Sequence, residues 1–139
     1  MVEGLTGWRV VADPASLDEI SGTVPVSPHS GGRAGEAGRG VLLRFAPDDA
    51  LVLGEKEVAV SDPHAIVERD TGWAALQMTE ERALDLIAAH ASWQASLDRP
   101  VLLQGMVAGL PVKVYLDGEQ SMIIIAAPFG HELEDRLGS

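Results

Sequence analysis

The chain has 139 residues, 46% hydrophobic and 22% charged, which is enough for one globular domain with a real core and marginal for two. Ten Lys and Arg stand against 21 Asp and Glu, and the formal charge of −11 repels phosphate backbones and anionic lipid, so nucleic acid is not an expected partner. Cysteine is absent, which excludes disulfides, thiolate metal sites, Fe–S clusters and thiol nucleophiles.

The N-terminus, Met1-Val2-Glu3-Gly4-Leu5-Thr6-Gly7, has neither a basic start nor an apolar h-region, and no apolar run approaches the roughly 20 residues that span a bilayer. A cytoplasmic protein with no membrane attachment is the expectation. Asp13 can cap and Pro14 suits a first turn, so residues 13–20 read as a short helix with Leu17 and Ile20 on one face. Residues 21–40 are dominated by Ser, Gly and Pro, as in Ser30-Gly31-Gly32-Arg33-Ala34-Gly35, and read as a flexible loop or a segment that a partner orders.

The ordered body is expected over 41–139. Val41–Phe45 and Ala50–Gly54 read as strands around the turn Ala46-Pro47-Asp48-Asp49, and Ala65–Asp70 and Gly72–Met78 as strands joined at Thr71-Gly72. Thr79 caps a helix whose first turn carries Glu80 and Glu81 and whose apolar face is Ala83, Leu84, Ile87 and Ala91. Val101–Leu103, Gly105–Gly109 and Leu110–Leu116 follow, and Ser121–Ala127 reads as a strand central in the sheet. Pro128 opens a last helix with Phe129, Leu133 and Leu137 every fourth residue. The order ββββαβββα predicts α+β: a mainly antiparallel sheet with strands paired by hairpins and two or three helices. The chain divides into an N-terminal segment 1–20, the loop 21–40 and the body 41–139, within a single domain.

No residue pattern points to catalysis. His29, His64, His90 and His131 share no metal-ligand spacing, and Asp62 with His64 is an ordinary pair of loop residues. Ser30-Gly31-Gly32 lacks the flanking strand, helix and Lys of a phosphate cradle. Met78, Met106 and Met122 read as gap-fillers in apolar strands. The expected catalytic, cofactor and metal sets of this chain are therefore empty. What remains are aromatic side chains suited to a protein interface, Trp8, Trp93 and Phe129, whereas Trp73 sits in an apolar strand and reads as core.

From Val41 onward the sequence resembles the γ subunit of heterotetrameric sarcosine oxidase, a relative of the aminomethyl-transferring T protein of glycine cleavage and other folate-binding domains. The likeness rests on Val41-Leu42-Leu43-Arg44-Phe45-Ala46-Pro47-Asp48 with Leu51–Gly54, on Asp70-Thr71-Gly72-Trp73, on Ala83–Ala88, and on Val107–Val112 with Ile123–Pro128, in that order. The chain departs from it in opening its middle helix with Thr79-Glu80-Glu81 and in placing Phe129-Gly130 after the final Pro; it also looks shortened. The resemblance implies a shortened T protein-like domain acting as a non-catalytic subunit. In that family FAD, FMN, NAD and the tetrahydrofolate site belong to the large α and β subunits, and zinc to the small δ subunit. The host enzyme would oxidatively demethylate sarcosine or a related N-methyl amino acid. A stand-alone folate-binding-type domain with a small ligand, or a protein-interaction scaffold, are the alternatives.

Overall fold

Strands that are apolar at consecutive positions need cover on both faces, and this fold supplies it with four layers. The computed structural model describes residues 2–20, 23–26, 40–54 and 58–138. Its strands are β1 (Val2–Gly4), β2 (Gly7–Val11), β3 (Thr23–Val26), β4 (Gly40–Ala46), β5 (Asp49–Leu53), β6 (Ile66–Asp70), β7 (Trp73–Thr79), β8 (Val101–Val107), β9 (Leu110–Leu116) and β10 (Gln120–Ala126). The helices are α1 (Pro14–Asp18), α2 (Glu80–His90) and α3 (Gly130–Arg136), the last entered through a 3-10 turn, Ala127–Phe129.

The strands form two five-stranded sheets, one ordered β1-β7-β10-β9-β8 and the other β3-β4-β5-β2-β6. Every pairing is antiparallel except β3 with β4, which is parallel. In the first sheet Leu76, Val112, Val114, Ile123 and Ile125 face α2 and α3, meeting Ala83, Ile87 and Leu133. Their neighbours Ala75, Leu102, Tyr115 and Ile124 point the other way, toward Leu43, Phe45 and Leu53 of the second sheet. The second sheet repeats the alternation, with Val10, Leu42, Ala50 and Val52 turned outward under Leu17 of α1 and Ile20. The mainly antiparallel α+β architecture is thus as expected, and β10 is central, paired with β7 on one side and β9 on the other.

Three differences have physical reasons. The N-terminal segment holds two strands as well as the short helix: β1 pairs with β7, and β2 lies inside the second sheet between β5 and β6. The adjacent strands β6 and β7 do not form a hairpin. They belong to different sheets, and Thr71-Gly72 carries the chain across, with the Asp70 carboxylate accepting from the Gly72 N–H at 2.8 Å. Within the Ser/Gly/Pro-rich segment 21–40, Thr23–Val26 is a strand; residues 21–22 and 27–39, on which the expected mobility and His29 fall, lie outside the described residues.

Local signals explain the helices. Asp13 Oδ1 accepts from the Ser16 N–H at 2.9 Å, and Thr79 Oγ1 from the Arg82 N–H at 3.3 Å, each satisfying an N-terminal amide. On α2 it is Leu86, with Ala83 and Ile87, that is buried, while Leu84 is half-buried. The β8–β9 hairpin closes on Ala108 and Gly109, both at positive φ (52° and 80°), the pairing that a two-residue turn requires. That tip is tied down: its Ala108 N–H donates to the His90 carbonyl at the end of α2, and Arg136 of α3 donates to the Ala108 carbonyl, both at 2.8 Å.

Candidate functional site

Residues Arg9, Phe45, Asp49, Asp70, Trp73, Gln104 and Lys113 meet where the two sheets part, and their polarity in an otherwise aliphatic interior marks the place. Arg9 of β2 forms a two-pronged ion pair with Asp49 of β5, and its other nitrogen lies 3.9 Å from Asp70 of β6. The hydrogen bond to Asp49 raises the Arg9 pKa further above its already high value. Asp70 also accepts from the Trp73 indole N–H at 3.0 Å. The Trp73 ring meets Phe45 edge-on, with centroids 5.3 Å apart and planes at 61°.

Lys113 of β9 approaches from the first sheet. Its ammonium lies 4.4 Å from the Phe45 ring centroid and 5.6 Å from that of Trp73, and donates to Gln104 Oε1 at 2.8 Å. Gln104 in turn donates to the Phe45 carbonyl at 3.0 Å, bridging the sheets. Burial holds the Lys113 pKa below its ordinary value, with the Arg9 charge pushing the same way and Asp49 opposing. Beyond this cluster the inner face of the first sheet continues past the second, leaving a cleft of about 310 Å³ lined by Trp73, Gln104, Met106, Pro111, Lys113 and Ile124 among others. Met106 is 52% exposed there, so it does not fill a gap in the core as its apolar surroundings suggest.

The structure does not bring together Trp8, Trp93 and Phe129, the three aromatic side chains expected to suit an interface. Trp8 lies on β2 at the register of Val52 and Arg69, half-buried. Trp93 packs against the helical-side core, and its indole N–H donates to the Met106 carbonyl at 2.9 Å, so the ring covers the outer edge of β8. Gly105 makes this possible: a Cβ there would sit 2.6 Å from Trp93 Nε1. Phe129, in the 3-10 turn, is 46% exposed, whereas Leu133 and Leu137 of the same predicted stripe are buried. Trp73 is half-buried at the cleft. Leu97, in the loop after α2, is 95% exposed, and no sequence pattern marks it.

Asp62 and His131, singled out for their residue types, have structural partners. Asp62 accepts from the His64 N–H at 2.8 Å and the Asp13 N–H at 3.0 Å, which lowers its pKa and fastens the start of α1 to this loop. His131 stands 4.0 Å from Glu134 on α3. Among the described residues, no three His, Asp or Glu side chains converge in a way that could hold a metal ion. No helix among them is long and apolar enough to cross a membrane.

No protein-family model matches the sequence, and no curated protein does. A solved structure does: the chain is similar to a chain of the heterotetrameric sarcosine oxidase from Corynebacterium sp. U-96, determined in complex with pyrrole 2-carboxylate. The TM-score is 0.68 at 19% identity, over 99% of this chain and 83% of the other. The shared fold therefore takes in the N-terminal segment and is not confined to the part after Val41 where the sequence resemblance lies.

Proposed function

We infer that this chain is a non-catalytic subunit of a heteromeric oxidoreductase of the sarcosine oxidase kind. The observation that carries the reading is the fold, which coincides over 99% of the chain with a component of such a heterotetramer. The order of short motifs from Val41 to Pro128 points to the same family. In this reading a large flavoprotein pair holds FAD, FMN, NAD and tetrahydrofolate, a small δ-type subunit holds zinc, and the assembly oxidatively demethylates sarcosine or a related N-methyl amino acid. The exposed ring of Phe129 and the half-buried Trp8 and Trp93 are the aromatic surfaces a partner would cover.

Co-expression with the flavoprotein subunits of an oxidase of this kind tests the assignment. The expected result is a stoichiometric complex that survives gel filtration and is weakened by Phe129→Ala. A chain that elutes alone beside fully assembled flavoproteins contradicts it.

A further inference from the structure

We propose that the cleft at the parting of the two sheets binds a small, flat organic carboxylate, with Lys113 as its ion partner and Trp73 as its stacking wall. This goes beyond the subunit reading and does not depend on it.

The argument begins with charge. In a chain of net charge −11, cations inside the inter-sheet cluster should be easily paired, and Arg9 is, by Asp49 and Asp70. Lys113 differs: its one hydrogen-bond acceptor is the neutral Oε1 of Gln104, and among the described residues no carboxylate lies within ion-pair distance of its ammonium. An ammonium has three N–H donors, so donors remain for an incoming acceptor. The partly buried ammonium is held by Gln104 and the Phe45 and Trp73 rings, with the Asp49 charge acting from beyond ion-pair distance, and a bound carboxylate supplies the direct counter-ion it lacks.

Shape and lining select the rest of the ligand. A volume of about 310 Å³ is at the small end of the roughly 300–1,000 Å³ typical of ligand pockets. The walls are apolar at Met106, Pro111 and Ile124 and aromatic at Trp73, with two polar groups, Lys113 and Gln104, placed together at one side. That combination suits a planar ring bearing one carboxylate. Half-exposed Met106 can fold over it, since its thioether chain adapts to irregular shapes.

Benzoate is a suitable probe, with neutral benzamide as its isostere. Titrated into the ¹⁵N-labelled full chain, benzoate should shift the amides of Gln104, Gly105, Met106 and Lys113 saturably, and benzamide should bind at least tenfold more weakly. Lys113→Met should abolish the preference and Lys113→Arg should retain it. Equal affinities for benzoate and benzamide, no saturable shift at these amides, or an undiminished preference in Lys113→Met would each overturn the proposal. Saturable binding to the free chain that is lost in the complex with its partners would show a partner's side chain in the cleft, and also counts against it.

Discussion

Tyr115 is buried between the sheets with its hydroxyl lacking any hydrogen-bond partner among the described residues. Burial, aided by the nearby Asp117 charge, pushes its pKa up to about 12. Because the folded value exceeds the unfolded one, the neutral phenol's contribution to stability is complete below pH 10. It is lost as pH rises through about 12. Tyr115→Phe should abolish that alkaline decline. At neutral pH it should leave stability unchanged or raise it by about 1 kcal/mol, since it removes an unsatisfied buried polar group without opening a cavity. Urea denaturation of both proteins at pH 7 and above pH 10 checks this; a loss of more than about 1 kcal/mol at pH 7 would mean that the hydroxyl has a partner.

The edge of β8 shows an element protected by one side chain. An unpaired strand edge invites pairing with another chain, and here Trp93 lies across it, hydrogen-bonded to the Met106 carbonyl and seated on Gly105. Gly105→Ala brings a methyl group to 2.6 Å from the indole nitrogen, so ring or strand must shift. The expected cost is about 1–3 kcal/mol, as for overpacking elsewhere. Trp93→Ala should cost about 2 kcal/mol, below the roughly 3–5 of fully buried aromatics, and should promote self-association through the bared edge. Thermal melts with gel filtration check both, and an unchanged melting point for Trp93→Ala would return Trp93 to a purely interfacial role. For α2, Thr79→Ala should cost about 1 kcal/mol by removing its cap to Arg82, measurable by the same melts.

These elements also show what could be read beforehand. The helix at Thr79 and the strand at Ser121 are local signals of cap and apolar run, and local signals survive folding, whereas Gly105–Gly109, expected as one piece, ends in a left-handed turn at Ala108-Gly109. Trp8-Arg9-Val10-Val11 carried a usable strand signal in its β-branched and aromatic residues, but it is short and its partners lie some 40 to 60 residues away, at Ala50–Val52 and Val67–Arg69. The same reason hid the polar cluster beside the cleft: Arg9, Asp49, Asp70 and Lys113 are distant in sequence and meet only because β6 and β7 enter different sheets.

At the scale of the molecule, two sheets face each other with α1 outside one and α2 and α3 outside the other, so each sheet is apolar on both faces. That doubly covered arrangement accounts for the aliphatic composition and for continuous runs such as Met122–Ala126. It also makes the fold, shared with a component of a heterotetrameric oxidase at 19% identity, tolerant of sequence change so long as the alternation is kept. The most direct test of the subunit assignment is to purify the tagged full chain from its native host and record the absorption spectrum and sarcosine-dependent oxygen uptake of what comes with it. The account predicts a yellow complex containing larger flavoprotein chains in fixed stoichiometry and consuming oxygen with sarcosine or another N-methyl amino acid; a colourless, inactive chain recovered alone would contradict it.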